Sequence, residues 1–305
     1  MPQRLPRRSP PHPLTFAGSG MLEFLALYGD LYRDPILTAL AAGLGLGLLG
    51  VYVVSRRIVF VSAALSQTSA LGVTLAFYLS AQLGLVGLLA ELLAPTLAIL
   101  LSTLVVFGLV WLGERPTLGR DALLGVAFIV PTALVLLIGP FIARELHEVE
   151  AVLHGSAVLV RSSDLYAIAG ATLLVVATQV FAFRAFVFAS LDPLVARTQG
   201  VPVRLLDALL FGAIALLTGL STRALGALPT FGLTVLPAIG ALGLNIGLKW
   251  VFIVAATTGA AAGVLGYLVA LATDASVGAS QTLVAALLAL TLRALGWLLN
   301  RRQRL

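Results

Sequence analysis

Nine apolar stretches, each about as long as a bilayer is thick, leave this chain little to fold into except a bundle of membrane-spanning helices. They lie near 36–54, 58–80, 86–112, 122–142, 165–188, 206–222, 228–247, 250–272 and 282–299. A span needs about 20 largely apolar residues, because the hydrocarbon core is ~30 Å thick and an α-helix rises ~1.5 Å per residue. The third stretch is longer than this needs, so it tilts, is interrupted at Pro95, or includes an interfacial piece. Composition agrees with the pattern. The chain is 60% hydrophobic and only 10% charged, whereas soluble domains carry roughly 25% charged residues. The expected fold is all-α: a polytopic membrane protein with eight or nine transmembrane helices.

Arg and Lys orient the bundle. Arg56 and Arg57, Arg115 and Arg120, Arg184, Arg197 and Arg204, Lys249, and Arg301, Arg302 and Arg304 fall on one side if the spans alternate. That side is the cytoplasm, since basic residues are retained there. The net charge of +6 therefore orients the chain and does not indicate nucleic-acid binding. The opposite side holds the 143–164 connection, where Glu145, Glu148, Glu150 and Asp164 outnumber Arg144 and Arg161. One segment breaks the pattern: residues 1–20, rich in Pro and Arg, fall outside by this count yet carry Arg4, Arg7 and Arg8. They read as a disordered leader or an upstream misreading, with Met21 opening a transmembrane domain over 21–305.

Several functions are excluded by what the sequence lacks. With no Cys there is no disulfide, thiolate metal site or cysteine nucleophile. No GxxxxGK[ST] occurs and the only Lys is Lys249, so the chain has no P-loop. Gly43, Gly45, Gly47 and Gly50, and Gly259, Gly263 and Gly266, are read as helix-packing positions. Paired intramembrane carboxylates and a Ser-His constellation are both missing, so no enzyme is expected. A proton- or ion-coupled carrier would need intramembrane acids, and only Glu91 qualifies.

One polar segment interrupts the apolar pattern: DPLVARTQGVPVRLLD, from Asp192 to Asp207. Its four charges would each cost about 2.5–3.5 kcal/mol at the centre of a span, so it lies outside the hydrocarbon. Asp192 can cap a helix whose first turn accepts Pro193, and Gly200 with Pro202 ends it. Such a short capped helix suits a handle for a partner; an ordinary solvated loop is the plain alternative.

Three stretches together carry a resemblance. SRRIVFVSAALSQTSALGVTLAFYL at 55–79 resembles the Arg-Arg-capped second span of the ABC-3 permeases, the membrane subunits of bacterial zinc and manganese ABC importers. The polar handle followed by ALGALPTFGLTVLPAIGAL at 224–242 is similar to that family's cytoplasmic coupling segment and the span after it. TDASVGASQTL at 273–283 is similar to its turn before the last span. The resemblance implies an inner-membrane permease whose ATP is bound by a separate cytoplasmic ATPase. It further implies an extracytoplasmic solute-binding protein and a permease homodimer. Asp192, Ala196, Arg197 and Gly200 would couple to the ATPase, and the chain itself would hold no cofactor.

The sequence departs from the family at one place that bears on cargo. The second span of such permeases carries Asp and, four residues later, His, suited to Zn²⁺ or Mn²⁺. Counted from Phe60, these positions are Ala63 and Gln67. Ser62, Ser66 and Ser69 share a face beside Gln67 and Thr68, as a neutral polar lining of a substrate path or as helix packing. Glu91 joins this candidate path if it lies at membrane depth. His147 and His154, with the nearby Glu145, Glu148 and Glu150, are candidates for receiving a metal outside. The alternatives to metal import are a non-metal cargo and a non-transporting membrane scaffold.

Overall fold

The computed structural model describes residues 20–85, 87–112, 120–142 and 160–302. The leader at 1–19, Arg115, and the external connection with His147 and His154 lie outside the described residues. The helices in chain order are α1 (Gly20–Ser55), α2 (Val59–Leu83), α3 (Leu88–Leu112), α4 (Arg120–Ile138), α5 (Ser162–Leu191), α6 (Pro193–Thr198), α7 (Val203–Leu225), α8 (Ala227–Leu242), α9 (Leu248–Thr273) and α10 (Val277–Arg302). No strand occurs among the described residues. Among the described residues eight helices are long and apolar enough to cross a membrane, and α8, with 16 residues, is shorter. At ~1.5 Å per residue α8 reaches only ~24 Å. It is nonetheless largely buried, packed among α1, α9 and α10.

Two expectations about helix ends are settled. α3 runs unbroken through Pro95, so the third stretch is one helix. The lead into the first span is continuous with it: α1 begins at Gly20 and passes through Pro35. The bundle is layered around α2, whose residues from Val61 to Thr74 are nearly all buried. α3, α4 and α10 lie outside and turn Leu100, Leu104, Ile129, Leu136, Leu287 and Leu290 outward. Such faces would drive aggregation in water and are stable against lipid tails.

The alternation of spans is visible in how neighbours run. α1 and α5 advance together: Thr172 donates to the Ala41 carbonyl at 3.0 Å, and Tyr52 donates to Gln179 Oε1 at 2.5 Å. α1 and α9 run oppositely along a glycine seam, where Gly43 meets Gly259, Gly47 meets Ala255 and Gly263 meets Ala39. A Cβ on Gly259 would lie 2.2 Å from the Gly43 carbonyl oxygen, so only glycine admits this approach. Gly259→Ala should therefore cost about 1–3 kcal/mol through forced backbone displacement. Gly125→Ala, where a Cβ meets nothing within 4 Å, should leave the thermal unfolding midpoint unchanged or raised. Equal midpoints for the two variants would refute the seam.

Candidate functional site

The polar face of α2 divides when its partners are traced. Ser66 donates to the Ser62 carbonyl at 3.0 Å. Ser69 and Ser102 of α3 share a hydrogen bond of 2.5 Å, and Ser102 also donates to the Ala98 carbonyl, which leaves Ser69 as donor between them. Ser69 is thus part of the α2–α3 packing. Ser62 Oγ and Gln67 Oε1 differ: both are buried and neither has a hydrogen-bond partner. Thr218 Oγ1, Ser221 Oγ and Thr222 Oγ1 share this condition on α7, which packs directly against α2. Buried polar atoms are nearly always paired, so this unspent hydrogen-bonding capacity on two neighbouring helices is a candidate polar interior for a polar visitor. Ala63 is buried on the same helix. Among the described residues no group of three or more His, Asp or Glu is placed to hold a metal.

Glu91 stands apart from this interior. It occupies the first turn of α3, half-buried, and pairs with Arg161 at 2.6 Å. By the orientation that the basic residues dictate, this is the outer end of the bundle, where an ionised carboxylate is tolerated. Its neighbours form an outer clasp. Arg223, ending α7, pairs with Asp164 in the first turn of α5 at 2.9 Å. Asp164 also accepts from the Arg161 backbone N–H, and Ser162 donates to Asp34 of α1.

A second clasp closes the inner end. Arg56 donates to Ser190 Oγ at 2.7 and 3.0 Å and pairs with Asp207 at 2.5 Å. Ser190 precedes the polar handle and Asp207 ends it, so one guanidinium just past the end of α1 pins both of its roots. Its fixed fork of donors suits such bridging.

Between these roots, the handle is built as its sequence requires. Asp192 caps α6 by accepting from the Val195 N–H at 3.0 Å, with Pro193 at the first position. Gly200 has φ +78°, in the left-handed region. The Gly200 N–H reaches the Arg197 carbonyl and the Val201 N–H reaches the Ala196 carbonyl, at 3.1 and 3.0 Å. These two bonds form a Schellman stop. Ala196 is buried and anchors the helix, whereas Arg197, Leu191 and Leu194 are exposed.

The sequence profile of the ABC 3 transport family matches residues 30–295. The chain belongs to this family. It is accordingly a multi-pass membrane permease, which in bacteria resides in the inner membrane. Relatives within the ABC 3 transport family include the manganese transport system membrane protein MntC of Listeria innocua, 24% identical over 88% of this chain and 91% of that protein. Another is the high-affinity zinc uptake system membrane protein ZnuB of Haemophilus influenzae, 24% identical over 68% of this chain and 76% of that one. The fold is similar to a chain in the structure of PsaBC from Streptococcus pneumoniae in complex with Fab, with TM-score 0.76, 22% identity, and coverage of 89% and 95%.

Two features of this ABC 3 transport family member are not singled out in the sequence reading, the first although periodicity offers it. Thr218, Ser221 and Thr222 lie at i, i+3 and i+4 in an otherwise apolar span, the same signal that drew attention to α2. Arg56 reads only as an orienting charge until its two distant partners are known.

Proposed function

We propose that this chain is the permease subunit of an ABC importer for a divalent metal ion, zinc or manganese. It works as a homodimer with two cytoplasmic ATPases and an external solute-binding protein. The chain performs no chemistry of its own; the ATPase binds ATP. The observation that carries the proposal is the handle: a capped and Schellman-stopped helix at the cytoplasmic end, presenting exposed Leu194 and Arg197 and tied to α5 and α7 by Arg56, just past the end of α1. ATPase closure pushes on α6, and the roots carry that push into the helices around the polar interior. The names of the manganese and zinc relatives support the cargo class.

A second reading has one observation in its favour. The α2 positions that the family resemblance gives to Asp and His are Ala63 and Gln67. Neutral Ser and Gln groups do not balance a divalent charge removed from water. A non-metal cargo, or a scaffold that no longer transports, would account for this. Gly200→Val tests the coupling. A β-branched residue in the left-handed region is strained by roughly 1–2 kcal/mol, and open space around Gly200 confines the effect to the turn. The variant should insert normally yet show cargo-stimulated ATP hydrolysis reduced at least about tenfold, a difference of ~1.4 kcal/mol. Unchanged ATPase co-purification together with unchanged stimulation would remove the coupling role.

A further inference from the structure

A groove of about 740 Å³ opens between α1, α5 and α9, on a face that neither the polar interior nor the handle uses. The volume falls within the ~300–1,000 Å³ of small-molecule pockets. Its walls are apolar, formed by Leu44, Leu48, Val180, Phe183, Phe252 and Ile253. α5 leaves helical geometry at Ala182 (φ −110°, ψ 18°), within the stretch that lines the groove.

Two cations line the same groove, Arg184 of α5 and Lys249 in the first turn of α9. The packing places both toward the cytoplasmic end. Phe252 packs at a tilt against Tyr52 with ring centroids 4.8 Å apart, near the end of α1 and one turn before Arg56, and Lys249 precedes Phe252 on the oppositely running α9. Arg184 lies between Gln179, which binds Tyr52, and Ser190, which binds Arg56. Among the described residues neither cation has an ion pair or a hydrogen bond. Two carboxylates at this end are engaged elsewhere: Asp207 pairs with Arg56, and Asp192 caps α6.

We propose that this groove is a binding site for an anionic phospholipid of the cytoplasmic leaflet, its acyl chain against the α1–α5–α9 walls and its phosphate on Arg184 and Lys249. Charge complementarity selects this occupant. Basic pockets between helices on the cytoplasmic side are where anionic headgroups bind, and each cation near that surface adds attraction. A second copy docked face to face would instead bring like-charged pairs together, which disfavours the contact. The bound lipid would wedge between α5 and the α1–α9 pair beside the inner clasp. Its occupancy would therefore steady the end of α5 from which the handle springs.

The test uses delipidated full-length protein in neutral detergent, with lipid binding read by native mass spectrometry and thermal unfolding. The probes are phosphatidylglycerol, phosphatidylcholine and inorganic phosphate. Phosphatidylglycerol should bind roughly tenfold or more tightly than phosphatidylcholine, as two cations near an anionic headgroup imply. The R184Q/K249Q variant should bring the two lipids level, and Ile253→Trp, which fills the groove, should weaken both. Equal binding of the two lipids by the native protein overturns the proposal without any variant. So does displacement of phosphatidylglycerol by inorganic phosphate alone, which would indicate a free-anion site. A preference that survives R184Q/K249Q while the variant shifts the monomer–dimer balance would assign the groove to a second copy. None of these results depends on cargo or ATPase, so they stand apart from tests of transport.

Discussion

Arg223→Ala should lower the unfolding free energy by about 3–5 kcal/mol, the usual consequence of removing one partner from a buried ion pair. Asp164 is only 7% exposed, and Arg223 is its only ion-pair partner among the described residues. Without Arg223 the carboxylate keeps its Arg161 N–H bond but loses its countercharge. The loss should reach beyond one helix, because the pair joins the start of α5 to the end of α7. Thermal unfolding in detergent measures it. Asp164→Asn added to Arg223→Ala should recover much of the loss, since the stranded charge is then gone. A single-variant loss under ~1 kcal/mol would mean that the pair behaves as a solvated surface bridge. The exposed pair of Glu91 and Arg161 supplies the contrast, and Glu91→Gln should change stability by less than ~1 kcal/mol.

The second large effect concerns the cargo. Ala63→Asp with Gln67→His should create Zn²⁺ or Mn²⁺ affinity in the permease, because residues at i and i+4 share a helix face. Ala63 is buried, so the added carboxylate should destabilise the metal-free variant. Metal should then restore stability by mass action, about 2.7 kcal/mol at a hundredfold excess over the dissociation constant. The native chain should show little of this response. Tight Zn²⁺ binding by the native protein, lost on Gln67→Ala, would make Gln67 a ligand and overturn the account of α2.

Much of the architecture was legible because bilayer thickness imposes a length on each apolar run and positive charges mark its ends. That was enough for the spans and for the capped handle that Gly200 ends. The 16-residue α8 was less legible: its apolar run continues to Gly247, but the helix ends at Leu242 and the chain turns through Asn245, itself at positive φ. The polar interior was only half visible. Periodicity put Ser62, Ser66 and Ser69 on one face, yet nothing in one helix reveals that Ser69 is spent on Ser102 while Thr218 and Thr222 are left unpartnered on α7, a helix that packs against α2. Arg56 shows the same limit, since its partners lie at Ser190 and Asp207, far along the chain.

ATP-driven uptake in proteoliposomes tests transport directly. The permease is reconstituted with its ATPase and solute-binding protein, and radioactive zinc and manganese are supplied outside with ATP inside. The metal-importer account predicts ATP-dependent accumulation of one of these ions, abolished by Gly200→Val. Accumulation of neither ion, with ATP hydrolysis indifferent to the loaded binding protein, would contradict it and leave the scaffold reading in its place.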